Sequence, residues 1–134
     1  MERFFVTFEQ AEFLKSKGFD VPCVAYYHID EHEKDSEPIE TDKKFKNSEI
    51  GGNSFVAPEQ WQVVEWLRTE HGIWISVYTM DKWHINGNDK EQLFDYSIKQ
   101  MKLGLIDIPK KPEEFDTPQE AYSAAFNHIL KELL

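Results

Sequence analysis

The chain has 134 residues, 40% of them hydrophobic and 14% aromatic, with one cysteine and a formal net charge of −10. That length suits one ordinary core, and ten Phe, five Tyr and four Trp offer enough apolar surface to offset the ordering entropy, which excludes a disordered chain. The acidic balance argues against direct nucleic-acid binding, which needs cations to displace counterions from phosphates, and the lone Cys23 excludes an internal disulfide.

Nowhere do about 18 apolar residues run together, so no membrane span is expected. Met1-Glu2-Arg3-Phe4-Phe5 lacks the apolar stretch and small-residue cleavage site of a secretion signal. With unpaired Cys23, this points to a cytoplasmic protein in a reducing compartment.

Along the chain, Thr7 followed by Gln10 forms a capping box and predicts a helix over 8–17. Ala11 and Leu14 mark its inward stripe, Phe13 widens that stripe, and Gly18 is placed to end the helix in the left-handed conformation. Residues 22–29, Pro-Cys-Val-Ala-Tyr-Tyr-His-Ile, mix β-branched and aromatic residues as a strand does. From Asp30 to Asp42 seven carboxylates face one base, Lys34, so 30–42 is expected to be a solvated acidic loop. Lys43 to Ile50 is expected to return as an edge strand, and Gly51-Gly52-Asn53-Ser54 is a turn signal.

Pro58 suits the first position of a second helix, with Val63, Val64 and Leu67 as its buried stripe, Trp61 and Trp66 flanking it, and Gly72 as its stop. Ile73, Ile75 and Val77 alternate with Trp74, Ser76 and Tyr78, and Asn86-Gly87 predicts a hairpin turn into a strand carrying Phe94, Tyr96 and Ile98. An irregular connection over 104–116 leads to Thr117, a cap with Pro118 at the first helical position and Glu120 at the third. Tyr122, Ala125, Phe126, Ile129, Leu130 and Leu133 then repeat with helical period. These elements predict a single α+β domain over 1–134, its helices packed against a small, mostly antiparallel sheet in the order α-β-(β)-α-β-β-α.

Gln10-Ala11, Leu14-Lys15, Lys17-Gly18-Phe19-Asp20, Pro22-Cys23 and Ala25-Tyr26-Tyr27 together resemble the opening of a family of small uncharacterised proteins encoded by bacteriophages and integrated elements of gut Bacteroidetes. Lys46-Asn47-Ser48, Ala57-Pro58, Trp66-Leu67-Arg68, His71-Gly72-Ile73 and Phe115-Asp116-Thr117-Pro118 continue the likeness in the same order. The resemblance covers most of the chain and is weakest over 73–100. It implies a protein acting inside a bacterial cell, and it carries no catalytic or binding residues with it.

Several strings bear on chemistry. His28, Asp30 and His32 occupy alternate positions and would share one face of an extended strand, the best metal-like set in the chain, but they run into the acidic loop without thiolates. The same loop lacks the glycine and spacing of an EF-hand, so no metal or other cofactor is expected. Cys23 with Tyr26 and His28 would suit an enzyme only if a base stood beside the thiol, against the simpler reading of a buried strand cysteine. The helix-strand-strand-helix order over 58–133 resembles that of double-stranded-RNA-binding domains, yet Glu113-Glu114 and Glu120 surround the helix entrance where such domains need lysines.

The aromatics are the remaining signal. If the helices cover one face of the sheet, rings on the hairpin are exposed to a partner; if the helices straddle the sheet, the rings are core. The expected function is a non-catalytic protein-binding or self-associating module, taking a protein partner or a second copy of itself through Trp61, Trp66, Trp74, Tyr78 and Trp83. Two alternatives are an acidic nucleic-acid mimic inhibiting a host protein and an enzyme using Cys23, Tyr26 and His28.

Overall fold

The computed structural model describes residues 2–29, 37–83 and 90–134, with the backbone alone at 83 and 90. The elements run α1 (Phe8–Ser16), β1 (Cys23–His28), β2 (Ile39–Phe45), a 3-10 turn (Asn47–Glu49), β3 (Ser54–Val56), α2 (Gln60–His71), β4 (Ile73–Trp83), β5 (Lys90–Met101), β6 (Leu105–Asp107) and α3 (Pro118–Glu132). The class is α+β. The strands form two antiparallel three-stranded sheets, β2-β1-β3 and β4-β5-β6.

Thr7 caps α1 as its spacing predicts: its Oγ1 accepts the Gln10 amide at 3.2 Å, and the Gln10 side chain accepts the Thr7 amide at 3.0 Å, satisfying two amides that a helix start leaves orphaned. Gln10 is itself buried, and its Nε2 donates to the Ser123 carbonyl and hydroxyl, both at 2.9 Å, and to Asn127 Oδ1 at 3.1 Å. One cap residue thus also ties α1 to α3. Phe13 does not widen the inward stripe but lies exposed.

In the first sheet β1 is central, its Tyr26 paired with Ile39 on one side and Val56 on the other. Residues 39–42 therefore belong to the edge strand β2 and not to the acidic loop, and the strand lies several residues earlier than 43–50. An edge strand tolerates such charge because its side chains stay in water, and Glu40, Asp42, Lys43 and Lys44 do. The strand expected at 46–50 is a 3-10 turn instead. Asn47 holds it, donating to the Phe19 carbonyl at 2.8 Å and accepting the Val56 amide at 2.9 Å, while Asp20 accepts the Ser48 amide and hydroxyl at 2.8 and 2.9 Å. Those bonds account structurally for the Phe19-Asp20 and Lys46-Asn47-Ser48 strings.

Helix α2 starts at Gln60, two residues later than Pro58 suggests. The delay has a long-range cause: Val6 donates to the Pro58 carbonyl at 3.0 Å and Gln60 to the Phe4 carbonyl at 2.8 Å, which keeps residues 58–59 extended against the N-terminal segment. Glu59 becomes the cap, its amide accepted by the Gln62 side chain at 2.9 Å. At the other end Gly72 adopts φ 62°, and a Cβ there would also lie 3.2 Å from that of Met101, so glycine is required as the stop.

Strands β4 and β5 pair without interruption from Ile73↔Gln100 to Trp83↔Lys90; the Asn86-Gly87 turn lies outside the described residues. The connection read as irregular contains β6, which pairs Lys99↔Asp107 to Met101↔Leu105. Helices α2 and α3 both pack on the face of this sheet that carries Ile73, Ile75 and Val77. Phe126, Ile129 and Leu130 of α3 join Leu14, Phe19, Phe55, Leu67 and Ile98 in one continuous core spanning both sheets and all three of these helices. Tyr122 and Leu133 of the predicted stripe are only partly buried, and Ala121 takes an inward position.

Candidate protein-contact surfaces

The helices lie on one side of the second sheet, so the aromatic rings of its other side face solvent. Trp74 is 40% exposed and Tyr78 44%. Trp74 stands opposite Lys99 in the ladder, with the Arg68 guanidinium 5.4 Å from its ring centroid. Trp61, on the first turn of α2, is 64% exposed. It borders a groove of about 500 Å³ lined by Phe4, Val64 and Tyr122 and by the carboxylates of Glu2, Glu59 and Glu65. Glu65 also pairs with Arg68 one turn along. An aromatic floor among carboxylates suits a side chain with an apolar stem and a cationic head, because the stem packs on the rings while the head stays near negative charge.

Trp66 is not available to a partner. It is 7% exposed and packs edge-on against Phe19 at 5.3 Å and His71 at 4.6 Å between ring centroids. The buried stripe of α2 is Val63, Trp66 and Leu67; of the expected Val63, Val64 and Leu67, Val64 is only partly buried against the core and lines the Trp61 groove. Trp61 is on the first turn of α2, whereas Trp74 is on β4, beyond the Gly72 stop of that helix. The side chain of Trp83 lies outside the described residues.

Sequence reasoning overlooked a buried carboxylate in the second sheet. Asp95 of β5 is 2% exposed. Its carboxylate accepts from Lys110 Nζ at 2.8 Å, the Tyr96 amide at 2.7 Å, and the Glu113 amide and Tyr78 hydroxyl, each at 3.2 Å. The Lys110 ammonium also sits 4.4 Å from the Tyr96 ring centroid. Burial by itself would raise the Asp95 carboxyl, but the Lys110 ammonium and the two amides outweigh it and hold the group below the ordinary carboxylate range. Burial, then Glu113, push the Tyr96 phenol upward.

The backbone explains why a carboxylate belongs there. Ile108 donates to the Ile98 carbonyl, and Phe94 and Phe115 exchange both backbone bonds, all at 2.9 Å. Residues 109–114 leave the edge of β5 between those points, and Asp95 supplies acceptors that the ladder no longer offers. Lys110 and the Glu113 amide tie the segment to Asp95, which makes the cluster a pin. Its sequence signal is faint: a single carboxylate inside Leu93-Phe94-Asp95-Tyr96.

Strand alternation separates the enzyme-like trio. Cys23, Ala25 and Tyr27 point inward, while Val24, Tyr26 and His28 take the other face. Cys23 Sγ donates to the Val21 carbonyl at 3.3 Å, and burial, with a smaller contribution from Glu59, pushes the thiol up to about 12. A thiolate is the reactive form, so native protein at pH 8 should be alkylated on the order of a thousandfold more slowly than denatured protein. Equal rates with and without denaturant would place Cys23 outside the core. His28 ends β1 half-buried, and Asp30 and His32 lie outside the described residues. Among the described residues no three His, Cys, Asp or Glu side chains are grouped to hold a metal ion, and no helix is long and apolar enough to cross a membrane.

No family model, curated protein or solved structure matches the chain.

Proposed function

We propose that the protein is a non-catalytic protein-binding module, acting in the cytoplasm of a bacterial host, whose primary contact is the Trp61 groove. The observation that carries this reading is an indole 64% exposed beside a concavity lined by Phe4, Val64, Tyr122 and three carboxylates. A large ring that can be desolvated by a partner is the kind of group that dominates interface energetics, whereas exposed charges mainly tune encounter rate. The preferred partner presents a lysine or arginine on an apolar surface.

Direct RNA binding is disfavoured by the same geometry. Glu113, Glu114, Asp116 and Glu120 surround the entrance to α3, and Lys110 is already committed to Asp95. The test is capture of partners from nuclease-treated host lysate by tagged wild type, Trp61→Ala and a variant neutralised at Asp30, Glu31, Glu33 and Asp35. Trp61→Ala should weaken the recovered complex by about 2 kcal/mol, or roughly thirtyfold, through faster dissociation. Neutralisation should chiefly slow association at low salt. Binding that survives Trp61→Ala and disappears on neutralisation would instead support an acidic mimic of nucleic acid.

A further inference from the structure

We infer that a second copy of this chain docks along the outer edge of β4, joining two three-stranded sheets into one six-stranded antiparallel sheet. The inference rests on the reading of the protein as a contact module and assigns one of its partners. Among the described residues, no strand is paired with the far side of β4, and beyond the buried Ile73 the stretch offered to a partner runs from Trp74 to Met80. The opposite side of the sheet is closed by β6, Ile108 and Phe115.

Exposed strand edges invite pairing, and proteins blunt them with charge, proline, bulges or shortness. The other edges here are blunted. β2 carries Glu40, Asp42, Lys43 and Lys44 and pairs across an irregular register, while β3 and β6 are three residues each. From Ile73 to Met80, β4 has no charge and no proline, and its ladder with β5 is unbroken. Two chains of net charge −10 repel over most of their surface, so a neutral stretch with free backbone groups is where they can meet.

The pattern of β4 also complements itself. Antiparallel partners directly opposite each other share a face, so a two-fold axis at Ser76 keeps solvent-facing residues with solvent-facing ones. Trp74 then lies opposite Tyr78 of the second copy, twice over, and Ile75 opposite Val77. Aromatic and β-branched cross-strand pairs of this kind are favourable, and the charged Asp81 and Lys82 fall beyond the paired stretch. Five paired residues span about 17 Å, a small contact, so association is expected in the micromolar range or weaker.

The test is sedimentation velocity of the full chain from a few to several hundred micromolar, with two variants of the exposed Ser76. Wild type should shift from 15.8 kDa toward twice that mass. Ser76→Lys, which sets two ammonium groups against each other, should remain monomeric with an unchanged melting temperature. Ser76→Cys should form an intermolecular disulfide under mild oxidation, whereas Lys82→Cys should not. A monomer at every concentration, or a dimer that Ser76→Lys leaves intact and Ser76→Cys fails to cross-link, would overturn the pairing. If Trp61-dependent capture persists in such a monomer, the pairing alone fails; a Ser76-dependent dimer without that capture confirms the pairing and removes the Trp61 groove from the function.

Discussion

Phe126→Ala should lower the unfolding free energy by about 3–5 kcal/mol, the range for truncating a buried aromatic side chain. Phe126 is fully buried at the centre of α3, with Tyr122 at 6.3 Å and the rest of its surface against the common core. Helix α3 packs against β4, β5, α1 and α2, so collapse into the cavity would require more than one element to move. Equilibrium denaturation with urea is the measurement, and the midpoint should fall with little change in slope. An unchanged midpoint would remove α3 from the core.

The Asp95 pin should show the second large effect. Asp95→Ala leaves the Lys110 ammonium, with only 11% of its side chain exposed, without its counter-charge, and orphans the Glu113 and Tyr96 amides as well. Breaking a buried pair in this way costs about 3–5 kcal/mol. Replacing both members, as in Asp95→Asn with Lys110→Met, should recover part of that loss because no buried charge then remains. Full additivity of the two single changes would argue that the groups do not interact.

The acid limb of stability provides an independent check on the same carboxylate. Its folded pKa is depressed below the ordinary 3.8, so the stabilisation is present above that value and is lost as pH falls through the lower folded one. Wild type should therefore lose stability in the window below about pH 4. Asp95→Asn should lack this component of the acid transition. Identical acid profiles would show that Asp95 is not ionised against Lys110.

Local chemistry was largely legible in the chain. The reciprocal bonds of Thr7 with Gln10, the Thr117 cap on Glu120 at 3.1 Å and the left-handed Gly72 all involve residues within a few positions of each other, where side-chain type and spacing settle the geometry. The long alternation from Ile73 to Tyr78 and the periodic stripe of α3 were equally readable, since each repeats over enough residues to be distinguished from chance. These features determine the α+β class and most of the element order.

Tertiary structure decided what depends on distant neighbours. β3 and β6 are too short to show a period and exist because β1 and β5 offer them open ladders. The start of α2 is displaced by Phe4 and Val6, more than fifty positions away in sequence, and Trp66 is buried by Phe19 and His71 whereas Val64 packs only partly against the core. Asp95 is buried because residues 109–114 leave the edge of β5. Both α2 and α3 chose the same side of the second sheet, which exposes Trp74 and Tyr78. Hydrophobic pattern records how a residue alternates with its neighbours, but which side of an element is covered, and by what, is set by long-range packing and backbone pairing.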